Sequence, residues 1–506
     1  MAKLFATALE EVLNNQLQET ENGALGFRTT GKALLDMNFA VASLRSMTED
    51  YIVDKFVKAY YEDKLLAIKW LFFARDVREG LGERRLFRVA FKWLCENDIS
   101  MARGVLRYIP FYGRCDDIFC AYETGLKMDV INLIRTQLME DKIDKTKGHP
   151  ISLLAKWLPS ENASSVKSKE LACSIRKHMK LSSKEYRKML SSLRAYLDVV
   201  ECKMSSNRWG EINYETVPSK ANLIYKNAFM KHDQERRTEF LCKVASGEAK
   251  INAGVVYPHD LVRDYKYRSN DETIEEMWKA LPDTVKGNGN TIVVADGSGS
   301  MCCNVGSGST TAEDVATALS IYFSEHMEGQ FKDKFITFSE HPQLVDLSKC
   351  ETLKEKIRLV QSYCEVANTN IKAVFEMILK AAMANKMTQD EIPANILIIS
   401  DMEFDCCAME GDQMLRSDST LFEVIGAEYE AAGYKLPRLV FWNVNSRTGT
   451  IPVKKNELGV ALVSGFSVNV AKMVMSNKLD PLECLLETIN SDRYLPIERA
   501  IKEVLR

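Results

Sequence analysis

The feature that most limits what this chain can fold into is a change of hydrophobic period near residue 290. Before it, apolar residues recur three and four positions apart in Ala33–Leu44, Tyr51–Tyr61, Lys64–Phe73, Arg84–Cys95, Met101–Ile109, Val130–Met139 and Ile151–Leu158, then in Lys167–Met179, Ser183–Asp198, Tyr225–Phe229 and Asp233–Ser246. That spacing predicts helices. Gly, Pro, Asn or Asp separates them, as in Glu79-Gly80-Leu81-Gly82 and Ile109-Pro110-Phe111-Tyr112-Gly113. Short helix pairs in series suggest a bundle or a HEAT-like solenoid. Residues 1–26 are polar after a short amphipathic start.

After the punctuated stretch Lys286-Gly287-Asn288-Gly289-Asn290 the pattern alternates. Short apolar runs at Thr291–Ala295, Lys334–Phe338, Asn395–Ile399, Arg438–Val444 and Val460–Val463 read as strands. Between and after them, Ala312–Met327, Leu353–Gln361, Ile371–Ala384, Thr420–Ala432 and Ser467–Met475 read as helices. Such alternation predicts a doubly wound, mainly parallel sheet. The expected fold class is α plus α/β: an all-helical domain over 1–285, an α/β domain over 286–480, and C-terminal helices over 481–506 packed back on the body.

Charge and cysteine usage narrow the function classes. The 506 residues carry 67 Lys and Arg against 70 Asp and Glu, a net charge of −3, which excludes a strongly basic chain. The balance is local instead: 151–250 holds 19 basic and 11 acidic residues, whereas 291–506 holds 21 and 30. No apolar run reaches the ~18 residues of a membrane span, and the N-terminus lacks the apolar core of a secretory signal. The 13 cysteines contain no CxxC pair. Reduced thiols and a cytoplasmic location are the expectation, with no membrane partner.

In open α/β sheets ligands bind outside the C-terminal ends of the strands. Three segments put oxygen-bearing side chains there: Asp296-Gly297-Ser298-Gly299-Ser300, Asn368-Thr369-Asn370 and Ser400-Asp401-Met402-Glu403. The glycines let the first loop curl so that both hydroxyls face one centre. Asp296, Ser298, Ser300, Thr369 and Asp401 would offer hydroxyls and carboxylates to a hard cation, Mg2+ or Mn2+, with one position open for an acidic group. Taken alone, Asp-Gly-Ser-Gly-Ser also fits a flexible turn.

Asp-x-Ser-x-Ser with a later Thr and a later Asp resembles the metal-ion-dependent adhesion site of the von Willebrand factor A domain, and Val460-Ala461-Leu462-Val463-Ser464-Gly465-Phe466-Ser467 looks like the last strand and turn of that fold. The N-terminal half is similar to a family related to the TROVE module of Ro RNA-binding proteins. The residues that carry this are Glu62-Asp63-Lys64-Leu65-Leu66-Ala67-Ile68-Lys69, Arg75-Asp76-Val77-Arg78-Glu79-Gly80-Leu81-Gly82-Glu83-Arg84, Tyr112-Gly113-Arg114-Cys115-Asp116-Asp117, Ala155-Lys156-Trp157-Leu158-Pro159-Ser160 and Tyr186-Arg187-Lys188-Met189-Leu190. The resemblance implies helical repeats that close into a ring, a ribonucleoprotein role with small structured or single-stranded RNA, and a metal site that grips a partner's carboxylate. Asn370 departs from it, because related sites often carry an acid after the threonine.

Lys167, Lys169, Arg176, Lys177, Lys180, Lys184, Arg187, Lys188 and Arg194 form a dense basic stretch interrupted only by Glu170 and Glu185. Such a stretch suits contact with phosphates. With only Tyr186 and Tyr196 interleaved, it suits backbone contact rather than base stacking; an ordinary solvated helix face is the alternative. Cys302-Cys303 and Cys406-Cys407 fall near the same strand ends and read as buried or idle thiols, with a thiolate zinc site as the alternative. No P-loop, HExxH or GxSxG motif is present. The chain therefore reads as a non-enzymatic, Ro-like RNA-binding scaffold with a divalent-metal ligand site. A metal-dependent assembly module without RNA is the alternative, and a metal-dependent nuclease using Glu403 and Asp405 a third.

Overall fold

The computed structural model describes residues 17–266, 271–285, 290–306, 308–338, 341–363, 370–405, 420–455, 457–474 and 478–506. Thr369, Cys406 and Cys407 lie outside the described residues. The chain groups into two compact units, one of residues 1–67 with 256–491, the other of 68–255 with 492–506. This division departs from boundaries drawn at 285 and 480. The described residues of 17–67 and 256–285 group with the α/β region, and the last 15 residues with the helices.

The α/β unit is built on a six-stranded sheet. Its strands are β3 (Thr291–Asp296), β4 (Lys334–Phe338), β5 (Gln343–Asp346), β6 (Asn395–Ser400), β7 (Arg438–Asn443) and β8 (Val460–Ser464). A separate hairpin pairs β1 (Leu17–Glu19) with β2 (Leu25–Phe27). The sheet order is β5-β4-β3-β6-β7-β8, parallel throughout except for the antiparallel edge pair β4–β5. β3, β7 and β8 are buried at every position, which explains their unbroken apolar character: both faces of a mainly parallel sheet are covered. The strand order reverses between β3 and β6, the switch point at which such sheets leave a crevice at the strand ends.

Helix starts follow their caps. Thr311, Thr352 and Thr420 each accept a hydrogen bond from the backbone of the third residue on, while Asp314, Glu355 or Glu423 reaches back in a capping box. The expected helix Ala33–Leu44 breaks in two, Ala33–Phe39 and Val41–Leu44. The break lets this segment clasp β7 and β8: the Asn443 side chain donates to the Phe39 carbonyl at 2.8 Å, and the Ala42 N–H donates to Ser464 Oγ at 2.9 Å.

The helical unit contains most of the predicted helices, several of them longer than their apolar stripe. Lys127–Thr146 exceeds Val130–Met139, and Ser219–His232 exceeds Tyr225–Phe229. Ile151–Leu158 keeps helix only over Leu154–Trp157. Asp117, fully buried, binds Arg75 Nη2 at 2.7 Å and Arg88 Nε at 2.7 Å, and Arg114 lies 3.6 Å from the centre of the Trp157 ring. Arg194 donates to the Ala155 and Leu158 carbonyls and to Ser160 Oγ, and Tyr186 donates to the Pro159 carbonyl. The C-terminal helix Leu495–Val504 belongs here. Arg493 and the Tyr494 hydroxyl both donate to the buried Asp76 carboxylate. At Gly80 an added Cβ would lie 2.1 Å from the Phe73 carbonyl oxygen, so only glycine fits that turn.

Candidate metal and ligand site

The reversal of strand order brings the ends of β3 and β6 together, and two acids of the expected set meet there. Asp296 ends β3 and is 4% exposed; Asp401 follows β6 and is 0% exposed. Asp296 accepts from the Ser298 N–H at 2.9 Å and from Ser400 Oγ at 2.6 Å. Ser298 is buried, and its hydroxyl lies 3.0 Å from that of Ser300. A short 3-10 turn over Gly299–Cys302 carries Ser300. The structure thus gathers Asp296, Ser298, Ser300 and Asp401 at one end of the sheet.

The electrostatics are strained. Burial, and then the Asp401 charge, push the Asp296 carboxyl well above its ordinary range. Burial also raises Asp401, against the pull of Arg447 and a hydrogen bond from Ser300. Asp401 Oδ2 accepts no hydrogen bond among the described residues. Burial and the Asp401 charge both disfavour the charged form of Asp296, and an added cation would relieve that. The available donors are carboxylate and hydroxyl oxygens, which suit Mg2+ or Mn2+ and not a thiophilic metal. No group of three or more His, Cys, Asp or Glu able to hold a metal occurs among the described residues.

Other residues near the strand ends are fixed by the fold. Asn370 caps the helix Ile371–Ala384 by accepting from the Ala373 N–H at 3.1 Å. Asn370 is thus spent on a helix terminus. Met402, fully buried, has a φ of +63°, a left-handed conformation that costs a non-glycine residue roughly 1–2 kcal/mol. That turn separates two neighbouring acids. Asp401 stays at the end of the sheet, whereas Glu403 becomes an anchor.

Glu403 Oε1 accepts from the Arg447 N–H at 2.8 Å and the Thr448 N–H at 2.9 Å. Its Oε2 accepts from the Glu21 N–H at 2.9 Å. The Thr448 hydroxyl lies 3.0 Å from both oxygens. This carboxylate is satisfied by structural donors, which removes the chemical reason for assigning it to nuclease work. Asp405, paired to Gly23 through a β-bridge, is part of the same fastening.

Arg447 had no signal in the sequence. One guanidinium nitrogen lies 3.2 Å from Asp401 Oδ2 and another 2.7 Å from Glu21 Oε2. Glu21 stands 380 positions before Asp401 and Arg447 another 46 after it, so no local pattern could have joined them.

The basic stretch divides in two. Lys167, Lys169, Lys177, Lys180, Lys184, Arg187 and Lys188 are exposed on and beside the helices Val166–His178 and Ser183–Tyr196. Arg176 is held by Glu161 at 2.6 Å, and Arg194 by the carbonyls of the 155–160 turn. Those two belong to the fold. Tyr186 is buried and Tyr196 exposed. Cys302 and Cys303 are exposed free thiols. No described helix is long and apolar enough to cross a membrane.

Comparison with known proteins places these residues in a family. Residues 290–493 match the model of a domain of unknown function, DUF7788, and residues 20–98 and 162–291 match that of a second, DUF2828. The first match contains Asp296, Ser298, Ser300, Asp401, Glu403 and Arg447, and the second contains Glu21. An uncharacterised protein of Acanthamoeba polyphaga mimivirus is 31% identical over 515 residues, which cover 94% of this chain and 87% of the viral one. With that identity over nearly its whole length, the chain belongs to the same family as the mimivirus protein.

Proposed function

We propose that this chain is a Ro-like RNA-binding scaffold whose α/β unit is a von Willebrand A-type module with a divalent-metal ligand site. The observation that carries the metal reading is the pair of buried carboxylates, Asp296 and Asp401, at the β3–β6 reversal, with Ser298 and Ser300 beside them. Asp296, Ser298, Ser300 and Asp401 would hold the ion, with Thr369 expected as a further hydroxyl. When bound, Mg2+ or Mn2+ supplies an open coordination position for an acidic group, a partner's carboxylate or a phosphate. Asp296 and Asp401 supply the charge, and the strand ends fix their positions.

What supports RNA binding is the seven exposed cationic side chains on and beside two neighbouring helices, where long flexible amines reach phosphates without reading sequence. Binding of this kind weakens steeply as salt rises. The test is a gel-shift or anisotropy titration of the purified protein with hairpin and single-stranded RNA at several salt concentrations. Replacing Lys177, Lys180, Lys184 and Lys188 with Glu should abolish binding to both. Failure of the unaltered protein to bind either RNA at low salt overturns this part.

One observation favours the second reading, a metal-dependent assembly module without RNA: Arg176, Arg194 and Tyr186 are committed to the fold, so the face offers few groups beyond simple cations. A carboxylate-bearing protein retained on immobilised full-length chain with Mg2+, and released by chelator, would decide for it.

A further inference from the structure

We propose that Arg447 is a built-in counter-ion that competes with the divalent cation for Asp401, and that Glu21 receives it when the cation binds. The inference rests on the metal reading of Asp296, Ser298, Ser300 and Asp401.

Arg447 lies between two acids in different surroundings. Asp401 is fully buried, whereas the Glu21 side chain is 47% exposed. The contact with Asp401, at 3.2 Å, is an ion pair without hydrogen-bond geometry: Arg447 Nη1 and Asp401 Oδ2 are both buried and lack a hydrogen-bond partner among the described residues. The contact with Glu21, at 2.7 Å, is the tighter one. A guanidinium held at Asp401 by charge alone is displaceable by a denser positive charge, and it has a carboxylate waiting on its other side.

The backbone is arranged for that exchange. The N–H groups of Glu21 and Arg447 donate to the two oxygens of one buried carboxylate, Glu403. Both main chains are thereby fixed relative to β6, and only the Arg447 side chain has to move. In the cation's absence Arg447 offsets part of the charge of the Asp296–Asp401 pair. In its presence a guanidinium at the same oxygen would face a divalent ion in a site shielded from water, where like charges repel strongly. Cation binding and the Arg447–Asp401 contact are therefore antagonistic, and the segment carrying Glu21 tunes the affinity.

The test is Mn2+ binding to the full-length chain, read from the electron paramagnetic resonance of free Mn2+, for the unaltered protein and for R447Q, E21Q and D401N. R447Q should bind about tenfold more tightly because the competing charge is gone. E21Q should bind roughly threefold more weakly, because Arg447 then rests on Asp401 alone. Damage to the fold would weaken both, so the opposite signs separate competition from instability. Binding by R447Q but not by the unaltered chain also supports the proposal. If the unaltered chain binds, D401N does not, and R447Q is unchanged or weaker, the counter-ion role is overturned while the metal site stands. Tighter binding by E21Q overturns it as well. If neither the unaltered chain nor R447Q binds Mn2+, the metal reading falls and the proposal with it.

Discussion

Two regions of this molecule bury carboxylates, and they treat the charge in opposite ways. In the helical unit Asp117 is fully buried, yet Arg75, Arg84 and Arg88 all lie within ion-pair reach, and the Arg114 N–H donates to it at 2.9 Å. Burial pushes its carboxyl up. Arg75, the Arg114 N–H and Arg88 outweigh that, and the acid is held below its ordinary range. At the β3–β6 reversal Asp296 and Asp401 are as deeply buried, and burial wins: both are raised. Asp117 is a closed account of charge, compensated inside the chain. Among the described residues, Asp296 and Asp401 are compensated less fully than Asp117, and carboxylates perturbed in this way cluster at functional sites.

The largest expected effect lies on the compensated side. Asp117→Asn keeps the shape and removes the charge, leaving the 2%-exposed Arg75 without its counter-ion. Breaking a buried pair in this way costs about 3–5 kcal/mol, and chemical denaturation followed by circular dichroism should show it as an early helical transition. The pH dependence has a fixed sign. A carboxyl whose folded pKa is lowered adds stability above the unfolded value of about 4, and that stability drains away as pH falls through the lower folded value. The Asn variant should lose this acid-limb dependence. An unchanged midpoint and an unchanged acid limb would place Asp117 outside the fold's energetics and break the comparison at its stronger end.

Glu403 shows that the contrast is one of satisfaction and not of sheet against helix. It is two residues from Asp401 and equally buried, but backbone and hydroxyl donors surround it. Glu403→Gln keeps one acceptor oxygen and puts an amide donor where N–H groups already point. Losing charge-assisted bonds and stranding a donor should cost roughly 2–3 kcal/mol. Hydrogen exchange should localise the loss to residues 20–24 and 446–449. Global destabilisation without that local signature would mean that Glu403 does not fasten these segments.

The same contrast explains what could be read from the sequence. Strand cores were legible because parallel strands buried on both faces are continuous apolar runs; Lys334–Phe338 matches residue for residue, and Thr291–Asp296 and Asn395–Ser400 differ by one. The antiparallel edge strand Gln343–Asp346 was not, since only Val345 along it is buried. The hairpin Leu17–Glu19 with Leu25–Phe27 sits in a stretch that reads as polar, because its hold on the fold comes through Thr20, Glu21 and Asn22 bonding to residues near 403, not through an apolar stripe. Asp296, Ser298, Ser300 and Asp401 were legible because a fixed spacing after a strand determines where side chains point. Glu21, Glu403 and Arg447 were not, because their pairing depends on contacts hundreds of residues apart. Charge density picked out Arg176 and Arg194 together with the exposed lysines, although partners unseen in the sequence had already claimed those two.

The smallest effect on stability should come from the less compensated pair, and it is the sharpest test of the comparison. Asp401→Asn removes a charge that burial and the nearby Glu403 carboxylate both oppose, and Arg447 keeps Glu21 as its partner. Metal-free stability should therefore stay within about 1 kcal/mol of the unaltered chain, since deleting an under-compensated buried charge offsets the loss of its ion pair. What should disappear is the response to metal. A site holding Mg2+ at a hundred times its dissociation constant stabilises the folded state by about 2.7 kcal/mol. Thermal unfolding of the α/β unit should thus rise with Mg2+ in the unaltered chain and stay flat in the variant. If Asp401→Asn instead costs as much as Asp117→Asn, both acids are structural, and the weaker compensation at the sheet reversal has no ligand to explain it.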